Sequence, residues 1–207
     1  MSHSMKAFDS TILVVLSAFH LLVVGCVKHE SALEIQGKTV AAWLPDVEIV
    51  GIPGTKNPAL DVLNSAGAQA MPDLSYSLLK DKSAEIQAKA AFVMSGICYR
   101  NPNSSEVHDA IPALITAAQD SNSEVRIYSI QALGAIGLSA SNAISVLVEL
   151  TRDNNGSVRM CAVESLGRIH ATSPESVAAL EAALSDSSND VRLTAKQALE
   201  IVQAGAK

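Results

Sequence analysis

The stretch that decides the fold reads DSNSEVRIYSIQALGAIG at residues 120–137, DNNGSVRMCAVESLGRIH at 153–170 and DSSNDVRLTAKQALEIVQ at 186–203. Val125-Arg126 returns as Val158-Arg159 and again as Val191-Arg192, each step being 33 residues. Asp120, Asp153 and Asp186 keep their place five residues before the Val, and Leu133, Leu166 and Leu199 keep theirs eight residues after it. A fixed period of this length means stacked supersecondary units, each too small to bury its own apolar face.

Counted from the Val as position 0, positions 0, +4, +7, +8 and +11 hold Val125, Ser129, Ala132, Leu133 and Ile136 in the first unit. The second unit has Val158, Ala162, Ser165, Leu166 and Ile169, and the third has Val191, Ala195, Ala198, Leu199 and Val202. At about 100° per residue these positions fall on one narrow helix face, with small residues that let a neighbouring helix come close. Asn122, Asn155 and Ser188 stand where a side chain can accept from the free amides of the first turn. A shorter helix precedes each, running through Ala113-Leu114, Val146-Leu147 and Ala179-Leu180, and Gly137 closes one of the second helices. The unit is therefore helix, tight turn, helix.

The Asp, the Val-Arg pair, the small residues and the Leu133-Gly134 and Leu166-Gly167 pairs resemble the HEAT repeat family, in the short bacterial form also seen in phycobilisome lyase-like proteins. The resemblance covers roughly two-thirds of the chain. It implies an all-α fold, a right-handed α-α superhelix of about four helical hairpins plus an N-terminal half-repeat, in which the second helices line the concave side. For function it says little, because one scaffold serves many partners.

Upstream the repeat weakens but can be followed. Asn57-Pro58 opens a half-repeat in which Ala59, Val62, Leu63, Ala66 and Gly67 match second-helix positions. Leu74, Leu78 and Leu79 then mark a first helix, Ser83 caps its partner, and Ile86, Ala90, Val93, Met94 and Ile97 form the buried face. Ile86 lies 39 residues before Val125, and the six extra residues fit a loop at Asn101-Pro102-Asn103-Ser104-Ser105. Residues 57–207 are thus the repeat domain. Residues 26–56 read as a tether and N-terminal cap, with Trp43 on a short helix capped by Thr39, covering an end of the stack that must not face water bare.

Residues 1–25 read as an export signal. Lys6 precedes an apolar run from Ile12 to Val24, too short to span a bilayer comfortably and interrupted by His20. The ending Val23-Val24-Gly25-Cys26 resembles a bacterial lipoprotein processing box, with Val in place of Leu at its first position and Asp9 offsetting Lys6. That resemblance implies lipidation of Cys26 and a membrane-anchored protein on the periplasmic or cell-surface side.

The composition, 48% hydrophobic with 3% aromatic, suits a helical domain packed with Ala, Leu, Val and Ile. A net charge of −6 argues against nucleic acid as a partner. No CxxC, paired His at helix spacing, phosphate-cradling Gly loop or Gly-x-Ser-x-Gly occurs. His29, His108 and His170 are far apart, and Cys98 and Cys161 fall on different repeats, too distant for a disulfide and expected to be small buried side chains. We therefore expect no enzyme, metal or cofactor.

The ladder of Arg126, Arg159 and Arg192 with Asp120, Asp153 and Asp186 is expected to stitch repeats together, ending where Gln87 replaces Arg. Function is expected on the opposite, exposed face of the second helices, at positions +2, +6 and +10. The partner-binding candidates are Ile127, Gln131, Met160, Glu164, Arg168, Leu193 and Gln197, with Ala135 and Ile201 completing the rows. The apolar +2 row could grip a peptide or could pack between repeats. The leading expectation is a non-catalytic scaffold for a protein partner. One alternative is an enzyme or accessory factor of the phycobilin lyase type, although export separates it from that chemistry. Another is self-association through a last repeat in which Leu193, Leu199, Ile201 and Val202 have no obvious polar cap after them.

Overall fold

The computed structural model describes residues 32–49 and 56–205. The expected export signal, Cys26 and His29 lie outside these residues. Four helical hairpins follow a single helix, α2 (Pro58–Ala66): α3 (Met71–Lys80) with α4 (Ala84–Arg100), α6 (Ile111–Ala117) with α7 (Ser123–Ile136), α8 (Ile144–Leu150) with α9 (Gly156–Arg168), and α10 (Pro174–Ala183) with α11 (Asn189–Gly205). The short helix α1 (Val40–Trp43) precedes α2, and α5 (Ser105–Asp109) lies between α4 and α6.

The repeated Asp explains where each second helix begins. Asp120 Oδ1 accepts the amide of Asn122 at 2.7 Å, Asp153 Oδ1 that of Asn155 at 2.7 Å, and Asp186 Oδ1 that of Ser188 at 2.8 Å. Each carboxylate thereby folds the turn that presents the next residue as the cap. Asn122 then accepts from Glu124 N at 2.8 Å and Asn155 from Ser157 N at 2.9 Å. Upstream, Ser83 caps α4 and Asn57 caps α2 in the same manner. Gly137 ends α7 with φ 72° and ψ −138°, a backbone few residues other than Gly adopt. His170 stands at the matching place after α9 with φ 53°.

All fifteen stripe positions of the three regular units are buried, Val125, Val158 and Val191 with 0% exposure. They belong to one apolar interior that runs unbroken from Val40 to Val202. The second helices α4, α7, α9 and α11 pack in sequence against one another, and the first helices form a second layer against them. What sets the spacing is the pair of glycines. A Cβ on Gly134 would lie 2.5 Å from Ser165 Oγ and 3.2 Å from Ser165 Cα, and one on Gly167 would lie 2.9 Å from Ala198 Cβ and 3.0 Å from its Cα. Successive helices therefore meet backbone to backbone, and Ser165 Oγ uses the proximity to donate to Ile130 O at 3.0 Å.

The two ends differ. Ahead of α1 a two-residue hairpin, β1 (Glu34–Ile35) with β2 (Lys38–Thr39), turns at Gln36-Gly37. Trp43 packs half-buried on the interior, donates from Nε1 to Ile35 O at 3.1 Å and carries Lys38 Nζ 4.5 Å above its ring. Leu33 N donates to Asp73 Oδ2 at 2.7 Å, and Lys89 Nζ donates to Pro45 O at 2.7 Å, which ties this cap to α3 and α4. The hairpin in this segment was not foreseen, since two-residue strands leave no alternating pattern to read. The loop expected at residues 101–105 ends one residue earlier, because Ser104 caps an additional helix, α5, that Ser105 opens.

At the other end α11 exposes Leu193 and Ile201, 55% and 41% accessible, while Leu199 and Val202 are buried. Positions +5 and +9 of α7 and α9, Ile130, Val163, Gly134 and Gly167, are all buried against the following helix. On α11 the same positions are Lys196 and Glu200, both exposed. The exposed surface of α11 therefore mixes charged and apolar side chains, with Glu200 at the position that Gly134 and Gly167 hold in the preceding units.

Candidate functional site

Two arrangements stand out, a ladder that repeats between units and a cleft open to solvent. The first is the Arg–Asp ladder. Arg159 meets Asp186 of the next unit with two parallel bonds, Nε to Oδ2 at 2.8 Å and Nη2 to Oδ1 at 2.9 Å, while its Nη1 donates to Asp153 O at 2.9 Å. Arg126 reaches Asp153 in the same way, Nη2 to Oδ1 at 3.1 Å, and Asp120 O at 2.9 Å. Its Nε lies 3.1 Å from Asp153 Oδ2, close enough for charge attraction but off the hydrogen-bond line, so the Arg159 fork is the better formed. Arg192 keeps the inward half, donating to Asp186 O at 2.7 Å. These arginines serve the stack, as expected of them.

Arg159 holds the Asp186 carboxyl at about 2, below the usual range, chiefly through its hydrogen bonds. Asp186 in turn raises the Arg159 guanidinium. The thiols behave oppositely. Burial pushes Cys98 up to about 12 and Cys161 up to about 11, so both stay protonated at neutral pH and are weak nucleophiles. Both are free and buried. Among the described residues no group of three or more His, Cys, Asp or Glu is placed to hold a metal ion.

The open geometry is a cleft of about 310 Å³ across three successive second helices. α4 supplies Ser95, Gly96, Tyr99 and Arg100; α7 supplies Gln131 and Ala135; α9 supplies Glu164, Ser165 and Arg168. Glu164 and Arg168 pair along α9, with Glu164 Oε1 3.0 Å from Arg168 Nε. Gln131 Nε2 lies 3.6 Å from Cys161 Sγ, which orients the amide on the cleft wall. Arg100 donates to the side-chain oxygen of Asn64 on α2. A phenol, an amide, two guanidinium groups and a carboxylate thus line one depression, a set suited to holding a polar chain by hydrogen bonds and charge.

Of the candidates read from the sequence, Gln131, Glu164 and Arg168 are brought together here. Ile127 and Met160 are not part of the cleft: both are half-buried and packed against the interior, so their row mainly fills the seams between repeats. Ala88, which holds that position in α4, is wholly buried. Leu193 is 55% exposed and Gln197 is exposed, but neither lines the cleft. Tyr99 and Arg100 were missed by counting. α4 has 17 residues against 14 for α7, and the added turn carries these two side chains past the positions considered.

Residues 71–153 and 137–200 match the family of HEAT repeats, so the match spans more than half of the chain. Solved structures are similar in fold. A designed armadillo repeat protein in complex with the peptide (KR)4 aligns with TM-score 0.58 and 22% identity, over 79% of this chain and 80% of that one. The complex of CpcE and CpcF of phycocyanin lyase from Nostoc sp. aligns with TM-score 0.56 and 22% identity, over 68% and 86% of the two chains. Computationally designed armadillo repeat proteins for modular peptide recognition align with TM-score 0.55 and 24% identity, over 78% and 72%. Among curated proteins none matches the chain.

The ladder has a pH signature. The Asp186 carboxyl is depressed in the folded chain, so its contribution is fully present above the ordinary carboxylate range of about 4 and is lost as pH falls toward about 2. Urea midpoints measured from pH 6 downward should therefore fall more steeply for the parent than for Asp186→Asn, and the gap between the two should close at the acid end.

Proposed function

Because the chain belongs to the HEAT repeat family, we propose that it is a non-catalytic scaffold that takes an extended segment of a protein partner in the cleft formed by α4, α7 and α9. One observation carries this reading: three successive repeats each place polar side chains in a single depression, Tyr99 and Arg100, then Gln131, then Glu164 and Arg168. Polar groups from three successive helices can meet an extended polypeptide at several points along its length, and packed helices limit the ordering that binding requires. Peptide binding by designed repeat proteins of similar fold supports a protein partner. The lyase-type reading is left with a likeness of fold alone.

The scaffold is further proposed to be exported and held at a membrane by lipid on Cys26, a reading supported by the apolar run Ile12 to Val24 and the Gly25-Cys26 ending. In this arrangement the residues between Cys26 and the cap at Leu33 are the tether.

Peptides selected from a random display library on the full chain should lose about tenfold or more in affinity, on the order of 1.4 kcal/mol, when Gln131→Ala and Arg168→Ala are combined. Leu193→Ala should leave affinity unchanged. Equal binding to the parent and the cleft variant would remove the cleft from the account. For the anchor, intact mass of protein extracted from membranes should show residues 1–25 lost and acyl chains gained; a full-length, unacylated mass would reject lipidation.

A further inference from the structure

The geometry points to an acidic occupant: a segment of partner polypeptide carrying carboxylates, held between the guanidinium groups of Arg100 and Arg168. This rests on the cleft being a peptide site and adds the chemistry of the peptide it takes.

The charge of the cleft is opposite to that of the molecule around it. The chain carries −6 overall. Two arginines and one carboxylate line the cleft, leaving it one positive charge. Glu164 and Arg168 compensate each other, Arg168 Nη2 lying 3.0 Å from Glu164 Oε1, so the surplus positive charge is that of Arg100, with Arg168 beside it as a further donor. Arg100 has no such compensation from the lining. Its hydrogen-bond partner is the neutral amide of Asn64.

Arg100 is also held in place. Its Nη2 lies 3.4 Å from where a Cβ on Gly96 would stand, so the guanidinium folds back over the bare backbone of α4 onto the cleft wall. A fixed planar fork with a neutral partner is suited to a carboxylate, which it can meet with two parallel bonds. Tyr99, 69% exposed on the same turn, offers apolar ring surface next to that charge. Complementary charge sets which segments enter and how fast, and an acidic segment meets here a local charge opposite in sign to the net charge of the chain. A nucleic acid is also anionic, but it needs several cations in a row, and the cleft supplies two.

The test uses the full chain and fluorescence anisotropy with four labelled probes: (Asp-Glu)4, (Gly-Ser)4, (Lys-Arg)4 and an oligothymidylate of equal length. The acidic peptide should bind best, with affinity falling as salt rises. Arg100→Ala and Arg168→Ala should each weaken it about tenfold, and Arg100→Lys should keep more of the affinity than Arg100→Ala. Both arginines are exposed, and circular dichroism would verify that the variants fold. Preference for the basic or neutral peptide, with loss of binding in Gln131→Ala, would overturn the acidic assignment and leave the peptide cleft standing. Tighter binding of the oligonucleotide, or acidic-peptide binding indifferent to both arginines, would also overturn it. Failure of all three peptides to bind would defeat the peptide reading itself.

Discussion

The contact on which the structure depends is the backbone-to-backbone approach of successive second helices at Gly134 with Ser165 and at Gly167 with Ala198. Helices whose facing positions carried ordinary side chains would stand further apart, and the apolar stripes of neighbouring repeats would leave gaps that dispersion cannot bridge. At the observed spacing the stripes merge into one interior, and a hydroxyl on one helix can satisfy a carbonyl on the next, as Ser165 does for Ile130. The small residues are thus conditions for a continuous core, in which Val125, Val158 and Val191 occupy equivalent, fully buried places.

The ladder and the cleft both follow from that spacing. With the helices this close, Arg159 can bond Asp186 of the following unit and the carbonyl of Asp153 in its own, so one side chain fixes both the turn and the stacking. The relative placement of α4, α7 and α9 is then fixed on the side that faces solvent, and Arg100, Gln131, Glu164 and Arg168 come together without needing to contact each other in sequence. The cleft shares its wall with that contact, since Ser165 both meets Gly134 and lines the depression.

The period, the caps and the buried stripe were legible because each is imposed locally on every unit: a carboxylate to fold the turn, an Asn or Ser to cap, small or apolar residues at fixed places. The concave rows were legible only in part. Counting from the Val put Gln131, Glu164 and Arg168 on the face where the cleft lies, but an apolar +2 row looks the same whether it fills a seam or grips a ligand, and Ile127 and Met160 are half-buried against the interior. Leu193 is exposed because no helix among the described residues stacks over it. Tyr99 and Arg100 lay beyond the count because α4 runs one turn further, and the N-terminal hairpin was too short to carry a pattern. The charged positions of α11, Lys196 and Glu200, were readable by the same arithmetic, had the buried positions +5 and +9 been compared across units.

The most direct test of the close-approach account compares two glycine substitutions by chemical denaturation. Gly156→Ala, at the first position of α9 and in ordinary van der Waals contact with Arg159 Nη2 at 3.6 Å, should be neutral or stabilise by up to about 1 kcal/mol through helix propensity. Gly167→Ala, whose new methyl would meet Ala198 at 2.9 Å, should destabilise by about 1–3 kcal/mol despite the same propensity gain. A Gly167→Ala protein as stable as the parent would show that α9 and α11 do not touch there, and the account of the stack would fail with it.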